Sequence, residues 1–92
     1  MTLKRQRTLA ELKLALAGCL LKPRAIELLQ DVEKSGSYGV EVAACDARLA
    51  GVLQNRGLVR SAYDPGRGLY RIKVTGKGHR MAVLANDTSP IS

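Results

Sequence analysis

Apolar residues crowd positions 9–21, broken only by Glu11, Lys13 and Gly18. This pattern predicts a helix over 9–20. Thr8 and Glu11 stand at capping-box spacing, so hydroxyl and carboxylate can satisfy the first backbone N–H groups reciprocally. On a helical wheel Glu11, Gly18 and Lys22 share one narrow stripe, with Lys13 almost opposite, and nearly every other position is apolar. A helix packing on its own core needs only a limited apolar stripe. The excess implies a second contact surface, most simply a second copy of the chain. Leu9, Leu12, Leu16 and Leu20 are the expected interface, with Met81 and Leu84 of the last helix beside them.

Lys22-Pro23 opens a second helix, because proline suits the first helical position. Ile26, Leu29 and Val32 recur at helical spacing while Glu27, Asp31, Glu33 and Lys34 face water. Ser35-Gly36-Ser37 ends it. Residues 40–45 are expected as a short helix. Asp46 then caps a further helix over 47–56, with Leu49, Ala50 and Leu53 inward, and Gly57 terminates it. Residues 58–63 and 69–74 alternate as strands, joined by the turn Asp64-Pro-Gly-Arg-Gly68. Thr75 caps a last helix over 77–86. The expected organisation is a basic flexible arm at 1–7, one α+β, mainly helical domain at 8–86, and a flexible tail at 87–92.

Charge sharpens this picture. Residues 1–7 carry Lys4, Arg5 and Arg7 and a balance of +3. Residues 8–55 sum to −1, residues 56–80 to +6 and residues 81–92 to −1, which together make the chain's +7. Seven of the fifteen Lys and Arg residues fall within 56–80, where Asp64 is the one acid. Cations gathered in an arm and a hairpin suit a polyanionic partner. With no Phe, no Trp and three Tyr, the core must be aliphatic, and single-stranded nucleic acid has few rings to stack on.

The run Leu53-Gln-Asn-Arg-Gly-Leu-Val59, the basic hairpin after it, and Tyr70-Arg-Ile-Lys-Val-Thr-Gly-Lys-Gly78 carry a resemblance. Together they resemble winged helix-turn-helix regulators of the MarR and PadR types. Val74 stands where those proteins have Leu in Leu-Thr-x-x-Gly. The resemblance covers roughly residues 23–80. Residues 37–46 are shorter than the family's first helix and turn. It implies a winged helix-turn-helix fold with a hairpin wing in the C-terminal half. It makes 47–55 the recognition helix in the major groove and 64–68 the wing tip near phosphates or the minor groove.

The outward face of that helix is then Ala47, Arg48, Gly51, Val52 and Asn55. Arg48 can take both acceptors of a guanine edge, or grip a phosphate. Asn55 can meet adenine, or the backbone. Ala47 and Gly51 permit close approach. Arg60, Arg67, Arg71 and Lys73 alternate with Tyr70, Ile72 and Val74, so one hairpin face should be cationic and contact phosphates, as should Lys4, Arg5 and Arg7. The bland alternative is a solubilising face of mixed sign.

Other chemistry finds little support. Cys19 and Cys45 lack the spacing of metal ligands and read as buried thiols; a redox-sensing disulfide is the alternative. His79 has no partner near it in sequence. Gly66-Arg-Gly68 and Gly76-Lys-Gly78 are not phosphate-binding loops. No catalytic constellation, cofactor motif or small-molecule site is evident, so no enzyme is expected. No apolar run reaches membrane-spanning length, and no leader cleavage site is convincing, so the expected location is the cytoplasm. The expected function is a small homodimeric transcription regulator binding double-stranded DNA. The alternative is a winged-helix protein–protein interaction module in a larger nucleoprotein assembly; a structured-RNA binder comes third.

Overall fold

Pro23 starts the helix around which the other elements pack. The computed structural model describes residues 9–44 and 47–87. In chain order they form α1 (Leu9–Leu16), α2 (Pro23–Ser35), β1 (Val40–Glu41), α3 (Ala47–Asn55), β2 (Val59–Asp64), β3 (Leu69–Val74) and α4 (Gly76–Asn86). Single 3-10 turns lie at Gly36–Tyr38 and Val42–Ala44. Among the described residues this is a small α+β fold, mainly helical, with one antiparallel sheet in the order β1-β3-β2. No helix among them is long and apolar enough to cross a membrane.

α2 buries Ala25, Ile26, Leu28, Leu29 and Val32, which lie on one face at three- and four-residue spacing. Leu14, Leu29, Leu53, Leu58, Ile72 and Val32 are fully enclosed, so α1, α2, α3 and the sheet each supply part of one aliphatic core. Each such side chain contributes roughly 1.5–3 kcal/mol by leaving water.

α1 stops at Leu16, four residues short of the expected end. The cause is a helix-ending motif built on Gly18, whose φ is 81°. The Cys19 N–H donates to the Leu14 carbonyl at 2.8 Å and the Gly18 N–H to the Ala15 carbonyl at 3.0 Å. The same pairing ends α3 at Gly57: the Leu58 N–H reaches the Leu53 carbonyl and the Gly57 N–H the Gln54 carbonyl, both at 2.9 Å. In each case the flanking pair, Leu14 with Cys19 and Leu53 with Leu58, is buried, the apolar contact that accompanies this motif.

The expected helix over 40–45 is also corrected. Val40 and Glu41 form β1, and Val42–Ala44 make only a 3-10 turn. Val40 is half-buried and pairs with Ile72, and Glu41 pairs with Arg71. A β-branched residue that can bury itself on the hairpin gains more from the ladder than from an isolated helical turn. The expected cap at Asp46, and Cys45, lie outside the described residues. Cys19 is a buried free thiol.

β2 and β3 pair from Val59↔Val74 to Asp64↔Leu69. The register puts Val59, Ser61, Tyr63, Tyr70, Ile72, Val74 and β1's Val40 on one face. Arg60, Ala62, Asp64, Leu69, Arg71, Lys73 and β1's Glu41 take the other. Val59 and Ile72 are buried, so their face packs on the helices and the charged face is turned outward. The turn is closed by the Asp64 carbonyl, which accepts from the N–H groups of Arg67 and Gly68, and by the Asp64 carboxylate, which accepts from the Gly66 N–H.

Thr75 fixes the hairpin against α3 and α4. Its N–H donates to the Leu58 carbonyl at 3.0 Å, and its hydroxyl donates to the Gly57 carbonyl at 2.7 Å. The same hydroxyl oxygen caps α4 by accepting from the Gly78 N–H at 3.0 Å. One threonine thus joins the end of α3, the start of β2, the end of β3 and the start of α4.

Candidate nucleic-acid interface

α3 presents the outward face that its periodicity demands. Ala47, Arg48, Val52 and Asn55 are exposed, while Leu53 is enclosed and Ala50 buried. Gly51 is half-buried, yet a Cβ there would meet no atom within 4 Å, so the helix surface is low and open at that point. Arg48, Val52 and Arg56 line a groove of about 530 Å³ together with Leu20, Lys22 and the carboxylate Glu11. Periodicity alone assigns this face a single cation, Arg48. The fold adds Lys22, from the loop between α1 and α2, and Arg56, just past the helix end. Only the packing of that loop against α3 reveals them.

The outward sheet face is less uniformly cationic than the hairpin sequence implies. Glu41, delivered by β1, lies 3.1 Å from the Arg67 guanidinium and 3.3 Å from that of Arg71. Arg71 is also 3.4 Å from the Asp64 carboxylate, and only 17% of its side chain is exposed. Arg71 is therefore clasped between two carboxylates, which corrects its assignment as an open phosphate contact. Arg67 stays 63% exposed, so its single ion pair is a weak tether. Arg60 and Lys73 sit opposite each other in the ladder and make no ion pair among the described residues. Four cations, Arg60, Arg67, Arg71 and Lys73, and two carboxylates, Glu41 and Asp64, leave this face at +2. Lys4, Arg5 and Arg7 lie outside the described residues.

α1 is turned opposite to its polarity. Glu11 is 3% exposed and Lys13 7%, whereas Leu16 is 72% exposed. Leu9, Leu12 and Leu20 are exposed as well. Lys13 is held by the far end of α4: its Nζ donates to the Asp87 carbonyl at 2.6 Å and lies 3.6 Å from the Asp87 carboxylate. Met81 and Leu84, expected beside the leucines, are instead half-buried against the core, and Val83 is the exposed apolar residue of α4.

His79 is not solitary. Its Nδ1 meets the Glu33 carboxylate, 46 residues earlier in the chain. The other Glu33 oxygen is buried and has no hydrogen-bond partner. Among the described residues no group of His, Cys, Asp and Glu is placed to hold a metal ion.

What the geometry offers is a shallow helix face rimmed by Lys22, Arg48 and Arg56, and a sheet face with Arg60 and Lys73 open. Such cations grip phosphates at long range and in a salt-dependent way. No family model, no curated protein and no solved structure matches the chain.

Proposed function

We propose that the chain is a winged helix-turn-helix protein that binds double-stranded DNA as a homodimer and acts as a small transcription regulator. The observation that carries this reading is the order α2, β1, 3-10 turn, α3, β2, β3 with strands arranged β1-β3-β2. A short strand ahead of an open-faced helix, closing on the hairpin that follows that helix, is the arrangement a winged helix requires. The hairpin would lie on phosphates through Arg60, Lys73 and the tip residue Arg67. α3 would enter the major groove with Arg48, Gly51 and Asn55 nearest the bases and Lys22 and Arg56 on the flanking backbone. The helix is poor in base-reading side chains, so discrimination would come in good part from DNA shape.

The homodimer would form through Leu9, Leu12, Leu16, Leu20 and Val83. This ridge carries no charge, because Glu11 and Lys13 are turned inward. In a chain of net charge +7 an uncharged face is where two copies meet with least repulsion. The same ridge favours the second reading, an interaction module in a larger nucleoprotein assembly.

Titration against random duplex DNA at several salt concentrations tests DNA binding. Five phosphate contacts per protomer would make log K fall with log salt at a slope of about −4.5 per protomer. Duplex affinity that does not change with salt overturns the reading.

A further inference from the structure

β1 brings one side chain, Glu41, to the outward face of the sheet, and it is a carboxylate among cations. The strand that carries it is held tightly in place. Gly39 precedes it with a φ of 74°, and a Cβ there would lie 2.6 Å from the Ile72 carbonyl oxygen. Glycine lets the backbone come this close to β3. Glu41 then stands opposite Arg71 in the ladder. One of its oxygens, Oε1, accepts from the Arg67 guanidinium at 3.1 Å and from that of Arg71 at 3.3 Å.

The two arginines are held unequally. Arg71 also reaches the Asp64 carboxylate at 3.4 Å, and its side chain is 17% exposed. Arg67 has Glu41 as its one ion-pair partner among the described residues and stays 63% exposed. A phosphate arriving at the wing tip therefore meets a guanidinium already engaged by a carboxylate. Phosphate and carboxylate use the same N–H donors, and the charge of Glu41 beside them repels the incoming anion. We propose that Glu41 competes with a phosphate of the nucleic acid for Arg67 and so sets how strongly the wing holds the backbone. The proposal rests on the DNA-binding reading and deepens it. Phosphate contacts carry no sequence information. A wing restrained in this way leaves a larger share of the binding to α3, where the bases would be read.

The full chain is titrated with random duplex DNA at several salt concentrations, in parallel with Glu41→Gln. Glutamine keeps an oxygen that can accept from the arginines and removes the charge. Glu41→Gln should tighten duplex binding about 2- to 5-fold at low salt, the worth of one exposed ion pair, and the gain should narrow as salt rises. Asp31→Asn is the control for net charge. Asp31 is an exposed carboxylate of α2 with no ion pair among the described residues, and its loss adds the same single unit of charge. It should change affinity much less. In an Arg67→Ala background the gain from Glu41→Gln should shrink, because the competition has lost its object. Circular dichroism verifies that every variant folds. A folded Glu41→Gln variant that binds no tighter than the parent overturns the proposal, as does a gain equalled by Asp31→Asn or undiminished without Arg67. If the parent binds duplex with salt dependence in any of these cases, only this inference falls. If the parent does not bind duplex at all, the DNA-binding reading falls and this inference with it.

Discussion

A methyl group placed on Gly78 would lie 1.9 Å from the backbone carbonyl oxygen of Leu58. That oxygen already accepts the Thr75 N–H, so it is fixed between the start of β2 and the cap of α4. The Val74 side chain would also be 2.6 Å from the added carbon. Neither backbone segment can yield without disturbing the joint that aligns α3, the hairpin and α4. Gly78→Ala should therefore destabilise the domain by about 1–3 kcal/mol or more, the range of overpacking that forces backbone shifts. Gly51→Ala is the control, since its Cβ would meet nothing. In the middle of α3 it should stabilise by about 0.5–1 kcal/mol. Urea denaturation of both variants checks the pair. Equal effects would mean that Gly78 has no steric role.

The Thr-x-x-Gly portion of the sequence resemblance acquires a mechanism in this joint. Thr75 caps α4, and Gly78 allows the helix to touch the strand that follows α3. α2, α3, β3 and the end of α3 at Gly57 were legible because apolar spacing and glycine position both pointed the same way. β1 was not: residues 40–45 read as a short helix, and the pairing of Val40 with Ile72 and of Glu41 with Arg71, 32 and 30 positions later, makes Val40 and Glu41 a strand instead. The site suffered from the same blindness. Glu41 becomes the neighbour of Arg67 and Arg71 only once β1 joins the sheet. Lys22 reaches the α3 groove only because Gly18 ends α1 early.

The clasped and open cations of the sheet should behave differently. Lys73→Ala and Arg60→Ala should each weaken duplex binding and reduce the magnitude of the salt slope by about 0.9, the value for one lost phosphate contact. Arg71→Ala should leave the slope nearly unchanged. It removes a half-buried cation from between Glu41 and Asp64, so its effect should appear as about 1 kcal/mol of lost stability. Salt-dependent titrations alongside urea denaturation separate the two. An Arg71→Ala slope change as large as that of Lys73→Ala would return Arg71 to the phosphate contacts.

In the proposed complex Arg48 is the residue of α3 that would read a base. If it does, Arg48→Ala should lose about 1–3 kcal/mol of discrimination between a preferred duplex and random DNA. Selection of preferred duplexes from a random pool supplies the comparison. Equal weakening on both DNAs would make Arg48 a phosphate contact, the role proposed for Lys22 and Arg56.

The exposed leucines of α1 give the most direct test of assembly. Leu16 is 72% exposed, so a charge placed there has no core to disrupt. Leu16→Glu should leave the monomer's circular dichroism and melting behaviour close to those of the parent protein at low concentration. It should nevertheless abolish association, because each dimer would bring a new carboxylate into an apolar contact. Binding to a two-half-site duplex should weaken with it, while binding to a single half-site should not. Sedimentation of parent and variant at micromolar concentration decides the matter. A parent protein that sediments as a monomer up to tens of micromolar would remove the homodimer. The leucine ridge would then point to a different protein partner, as the interaction-module reading requires.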